Sequence, residues 1–197
     1  MPPRRPRRKF GPSQKERIFF AALPDAETAA RIHALAQTLK SANGFIGTQI
    51  LAEHLHVTLF HLGDWPALPL EIVEAAKRAA QQAAPMVPPF AVQFLRSESF
   101  RNSTGVYPFV LTGDRSAAEW RPLHDTLAAA LKRAGLGGAT QGEFKPHITL
   151  LRDAKKAPAL PIAPLSWTVR DIVLVHSLLG RTTHVHLGRW PLGPLPA

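Results

Sequence analysis

An antiparallel α+β fold built by duplication is the class these 197 residues predict. Three observations carry it. Short apolar strand-like segments alternate with Ala-rich helical ones, and no Gly-rich phosphate loop interrupts them. The pentapeptide "HVTLF" (56–60) returns as "HITLL" (147–151), 91 residues later and nearly half a chain away. Each copy sits in a strand-like segment that follows a helical one, the signature of a repeated lobe.

The elements follow in order. Residues 1–17 hold seven Lys/Arg against one acid, and so carry +6 of the net +10. Four prolines in the first twelve residues break any amphipathic helix there. Residues 1–16 therefore read as a disordered basic tail, ahead of a single domain over 17–197. The tail is either a phosphate-backbone contact or a solvated extension.

"RIFFAAL" (17–23) is a buried strand. Asp25 caps a helix in which Ala29, Ile32, Leu35, Ala36 and Leu39 share a face, and His33 lies off it. Residues 54–60 alternate as a strand. Residues 69–84 form a second helix stopped by Pro85. "FAVQFLR" (90–96) and "GVYPFVLTG" (105–113) are strands. Ser116 and Glu119 form a capping box for a helix over about 117–134, closed by Gly135. "FKPHITLLR" (144–152) is a strand. "APALPIAPL" reads as a Pro-rich connection, and 166–179 and 183–190 as a terminal strand pair around "GRT".

Several classes are excluded or disfavoured by composition. Hydrophobic residues make up 45%, enough for a core, and no apolar run nears the roughly 18 residues of a membrane span. There is no apolar signal core near Met1, so the cytoplasm is the expected location. With no cysteine there are no disulfides or thiolate metal sites.

The repeat singles out chemistry among the three histidines His54, His56 and His61. Only His56 recurs in register, as His147. Lys145 and Arg152 stand where His54 and His61 would repeat. Residues i and i+2 of a strand share a face, so His56 pairs with Thr58, and His147 with Thr149, about 7 Å apart by backbone rise. Val57, Leu59, Ile148 and Leu150 then point to the core, and a strand continuing regularly would send His61 there too. Two such strands across a cleft surround one anion with two imidazoles and two hydroxyls. That set suits displacement at phosphorus, one imidazole taking a proton and the other giving one near neutral pH. A lone His-x-Thr in a strand is common and carries little; two with matching flanks are specific.

On "RIFFAALP", "LHVTLFHLG", "FKPHITLLRD" and "HSLLGRTTHVHLGRWPL", about residues 17–192, the chain resembles the two-histidine phosphoesterases. More narrowly, it resembles the bacterial RNA 2′,3′-cyclic phosphodiesterases, also called 2′-5′ RNA ligases. The resemblance implies two ferredoxin-like halves, with antiparallel sheets facing a central cleft and helices outside. It implies hydrolysis of RNA 2′,3′-cyclic phosphate ends to 2′-phosphomonoesters, with no metal and no cofactor, and ATP-independent 2′-5′ joining as related chemistry. His56 would be the proton donor and His147 the acceptor. Thr58 and Thr149 would bind phosphate oxygens, with Arg152, His54 and Phe100 as substrate contacts. The expected partner is RNA with cyclic phosphate ends, no membrane is involved, and the chain is expected to be a monomer. His61 replaces a usual Phe and His184 a frequent Tyr.

Three other readings stand beside this one. The pairs His54-x-His56 and His184-x-His186 would ligate zinc. A non-catalytic RNA-binding module would use the tail with Phe10, Phe100 and Tyr107 for stacking. The same four residues would also serve on 2′-5′ linkages or nucleotide cyclic phosphates.

Overall fold

The apolar segments become eight strands and the Ala-rich ones three helices in the computed structural model, which describes residues 15–113, 117–181 and 183–193. In chain order these are β1 (Glu16–Ala22), α1 (Ala26–Asn43), β2 (Val57–Trp65), α2 (Leu70–Ala83), β3 (Phe90–Ser99) and β4 (Tyr107–Thr112). Then come α3 (Arg121–Arg133), β5 (His147–Asp153), β6 (Leu160–Val169), β7 (Asp171–Leu178) and β8 (Thr183–Pro191). Residues 1–14 of the basic tail, with Phe10, lie outside the described residues, as do Ser116 and Thr182. Glu16 opens β1 and accepts from His176 at 3.0 Å.

Local chemistry sets the helix ends. The Asp25 carboxylate accepts from Thr28 N at 2.8 Å, and Gly44 closes α1 in the left-handed region at φ 62°. α2 buries Val73, Ala76, Ala80 and Ala83, small side chains that let α3 approach through Leu123, Leu127, Ala130 and Leu131. α3 starts later than expected. Ala118–Trp120 form a 3₁₀ turn, and Pro122 occupies the first helical turn.

Three further expectations need correction. The run 166–179 is two strands that part at Arg170. β6 pairs with β3 and β7 pairs with β1, far apart in the sheet. Part of the expected Pro-rich connection belongs to β6. That strand lies on the sheet edge, where the missing N–H of Pro161 and Pro164 is tolerated. The expected strand start at 54 also fails: Ala52–His54 form a 3₁₀ turn and β2 begins at Val57.

All eight strands form one antiparallel sheet in the order β6-β3-β4-β5-β2-β1-β7-β8. It consists of two four-stranded halves, β6-β3-β4-β5 and β2-β1-β7-β8. They join through the single described pairing Val57↔Ile148. The helices pack on one face, where Ile18, Phe20, Val57, Leu59, Ile148 and Leu150 join the main core. Each such side chain contributes roughly 1.5–3 kcal/mol when fully buried. Among the described residues, the other face carries a small apolar cluster of Phe19, Ala21, Val173 and Val175. None of the described helices is long and apolar enough to cross a membrane.

A second repeat becomes visible in the sheet. "HLGDW" (61–65) in β2 and "HLGRW" (186–190) in β8 share one device. Register shifts make Leu62 and Leu187 the extra residues of β-bulges. The Trp two residues beyond each glycine lies across it. A Cβ on Gly63 would sit 2.6 Å from the Trp65 ring, and one on Gly188 2.4 Å from Trp190. Only glycine leaves room for the ring.

Candidate active site

The two His-x-Thr motifs meet at the centre of the sheet. Val57 and Ile148 pair, so the antiparallel register carried one residue each way sets Thr58 opposite His147 and His56 opposite Thr149. Val57 and Ile148 are fully buried on the helix side. The four polar side chains alternate with them, half-buried on the open face. The motifs thus stand side by side on neighbouring strands that diverge after one pair.

Both imidazoles are held alike. His56 Nδ1 lies 2.7 Å from the His54 carbonyl, and His147 Nδ1 lies 2.7 Å from the Lys145 carbonyl. A carbonyl only accepts, so each Nδ1 donates its proton. Each Nε2 is then left as an acceptor when the ring is neutral and as a donor when it is charged. The position two residues before each motif histidine therefore acts through its backbone, and His54 and Lys145 need not resemble one another.

An aromatic ring packs on each imidazole. Phe19 lies 4.9 Å from His56 and Phe100 4.9 Å from His147, centroid to centroid. Burial pushes His56 down to about 4 from 6.5; the bond to the His54 carbonyl opposes this, and His147 and His54 add to it. Burial also lowers His147, against the support of the Lys145 carbonyl.

The strands share one more feature. Register shifts make Leu59 the extra residue of β2 against β1, and Leu150 that of β5 against β4. Each bulge inverts the alternation after the threonine, so Leu59 and Phe60, and Leu150 and Leu151, are all buried. His61 and Arg152 consequently emerge on the open face. His61 is therefore not a core-side residue as a regular strand would have it. Half its side chain is exposed, and it bonds Asp64 at 2.9 Å. Asp64 also accepts a two-point contact from Arg17 at 2.7 and 2.8 Å, which holds its carboxyl well below the usual range. Arg152 is lowered by burial and by the nearby Arg17.

His54 is in the turn before β2, with its ring 4.3 Å from His184. His184 in turn lies 5.7 Å from both His56 and Phe19, and burial pushes it to about 4. Among the described residues no group of three or more His, Asp or Glu is arranged to hold a metal ion. On the far side of His147 lies a cavity of about 650 Å³ lined by Arg96, Phe100, Arg101, Thr112, Phe144 and Lys145, among others. Phe100 thus touches both the imidazole and the cavity.

Sequence reasoning missed Phe19, Arg17, Arg96 and Arg101. Phe19 carried a signal, being the residue of "RIFFAAL" whose alternation with Ile18 and Phe20 puts it on the other face. The arginines carried none.

A model of the 2′-5′ RNA ligase superfamily matches residues 24–181. The RNA 2′,3′-cyclic phosphodiesterase of Escherichia coli (strain K12) is 30% identical over 187 residues, covering 91% of this chain and 98% of that protein. The crystal structure of E. coli LigT in apo form aligns with TM-score 0.63 at 27% identity, over 91% of this chain and 99% of LigT. LigT complexed with 3′-AMP aligns with TM-score 0.67 at 26% identity, over the same shares.

Proposed function

The chain belongs to the 2′-5′ RNA ligase superfamily, and from that premise we propose that it hydrolyses RNA 2′,3′-cyclic phosphate ends to 2′-phosphomonoesters, with its two motif histidines as acid and base. The observation that carries the reading is the matched tethering of His56 and His147. Each gives Nδ1–H to a carbonyl two residues back and keeps Nε2 for a substrate on the same open face.

His147 Nε2 takes a proton from water as its oxygen attacks phosphorus. His56, protonated, gives its Nε2 proton to the departing 3′ oxygen, and the P–O3′ bond breaks. The 2′ ester stays. Thr58 and Thr149 donate hydroxyl hydrogen bonds to the non-bridging oxygens, and Arg152 offsets their charge. A free-enzyme His56 near 4 is mostly neutral at pH 7. A bound phosphate anion favours its imidazolium, so substrate binding itself loads the donor. His54 and Phe100 flank the two imidazoles as substrate contacts.

This reading needs turnover without a metal, whereas a pure RNA-binding module binds and releases RNA unchanged. The test is incubation of a cyclic-phosphate-ended RNA in excess chelator. Sustained turnover supports the proposal, and binding with no turnover refutes it.

A further inference from the structure

We infer that His124 is a positioning residue for His147: stacked between Phe60 and Phe144, its ring fixes the segment whose Lys145 carbonyl aims that imidazole. The inference rests on the proposed function, in which His147 takes a proton from water.

The two motif histidines are tethered alike, but their tethers are not supported alike. The His54 carbonyl belongs to the 3₁₀ turn Ala52–His54, closed by bonds from His54 N to Leu51 O at 3.0 Å and from Leu55 N to Ala52 O at 3.2 Å, and Leu55 is buried. The Lys145 carbonyl has no such turn behind it. Residues 141–146 belong to no helix or strand. Side-chain packing has to place them.

Phe144 supplies that packing. Its ring lies nearly parallel to that of His124 on α3, 4.2 Å between centroids and 16° between planes. Trp120, buried at the start of α3, meets it edge-on at 6.2 Å. An imidazole has room for one such neighbour on each face. The other face of His124 lies against Phe60 of β2, at 4.4 Å and 22°. Phe60 is a fixed reference, since the bulge at Leu59 turns it to the helix side and into the main core.

Sheet register shows why a third ring is needed. From Val57↔Ile148, β2 runs through Thr58 to Phe60 while the facing chain runs back through His147 to Phe144. The strands have parted there, and no described strand pairing joins them. His124 enters from α3 and joins the two.

A short, stiff path leads from Phe144 to the imidazole. Pro146 fixes its own φ and restricts Lys145 to extended backbone. Whatever tilts Phe144 therefore tilts the Lys145 carbonyl, which accepts from His147 Nδ1 at 2.7 Å. Losing that bond frees the ring to carry its proton on Nε2, and Nε2 then has no lone pair for the proton of water. Burial lowers the pKa of His124 against the pull of Asp125 at 3.6 Å, so the ring stacks uncharged.

The experiment compares wild type with His124→Leu, His124→Phe and Phe144→Leu. Leucine at 124 fills the gap without a flat ring; phenylalanine keeps the ring and drops its nitrogens. Ring ¹⁵N NMR at pH 8, where both motif imidazoles are neutral, reads their tautomers. In wild type both should carry the proton on Nδ1. In His124→Leu, His147 should shift in part to the Nε2–H tautomer, while His56, held by its own turn, stays. Its kcat on adenosine 2′,3′-cyclic phosphate should fall about 10–100-fold, the cost of a misplaced group, with KM within about twofold. His124→Phe should keep kcat within about threefold of wild type and His147 as Nδ1–H. Phe144→Leu opens the stack from its other ring and should shift the His147 tautomer as His124→Leu does, so the test stands if one of the two does not fold. The inference is overturned if folded His124→Leu keeps the wild-type His147 tautomer or kcat. It is also overturned if His56 and His147 shift together, or if His124→Phe is as impaired as His124→Leu. Absence of hydrolysis by wild type would refute the proposed function, and the tautomers would still decide whether His124 positions His147.

Discussion

Replacing Phe19 with alanine should raise the pKa of His56 by about one unit. Burial is the main reason that imidazole titrates near 4 rather than 6.5. Two rings close over it, Phe19 at 4.9 Å and His184 at 5.7 Å. Removing the nearer one admits water on that side and should recover about half the desolvation. One unit is about 1.4 kcal/mol in favour of the charged ring. The sign matters for the proposed mechanism, in which His56 as donor must start protonated. On the alkaline side of the optimum, the competent fraction of free enzyme should rise about tenfold. The variant also loses stability. Phe→Ala in a core costs about 3–5 kcal/mol, and Phe19 sits in a cluster of four on a face water can reach, so the low end applies. Phe19→Leu keeps most of the cover and should leave the pKa near its starting value. The assay is a pH titration of the His56 ring by NMR in all three proteins, with thermal unfolding alongside. A His56 pKa in Phe19→Ala that stays put, or falls, would refute the reasoning that Phe19 desolvates the donor.

The pH profile of kcat/KM should be bell-shaped with its optimum on the acid side of 6.5, since both imidazoles are pushed down. The kcat profile should be displaced to higher pH by the bound phosphate anion, and a kcat/KM that rises steadily through pH 8 would contradict this. His56→Ala and His147→Ala should each lower kcat about 10²–10⁴-fold, and the double variant should cost less than the product of the two; strict multiplicativity would show that they do not act together. His61→Ala should change unfolding free energy by no more than about 0.5 kcal/mol, because its side chain is half exposed and off the core, and a loss above about 2 kcal/mol in urea unfolding would place it back inside.

The strand-level repeat was legible because its message is local. His56 and Thr58, like His147 and Thr149, share a face by the two-residue period alone, and the core side of Val57, Leu59, Ile148 and Leu150 followed from it. The failure at His61 has a definite cause. One extra residue at Leu59 inverts the side chains that follow it up to the next bulge at Leu62, His61 among them, and a bulge is decided by pairing with β1, which the segment itself does not reveal. The same bulge at Leu150 is why Arg152 reaches the open face two positions after a buried leucine. β6 and β7 were read as one strand because their composition is continuous; only pairing to opposite edges of the sheet separates them at Arg170. The "HLGDW" and "HLGRW" pair was present in the sequence, but its meaning, a tryptophan folded across a glycine beside a bulge, belongs to the sheet. Phe19 over His56 and Arg96 in the row of His147 are cross-strand neighbours, fixed by register between distant segments.

The central claim is that His56 serves the 3′ oxygen and His147 the entering water, and the position of the product phosphate tests it most directly. An RNA oligonucleotide ending in a 2′,3′-cyclic phosphate, hydrolysed to completion in excess chelator, should yield only the 2′-phosphomonoester, resolved from its 3′ isomer by ³¹P NMR. A 3′-phosphomonoester, or a mixture of the two, would contradict that assignment of donor and acceptor.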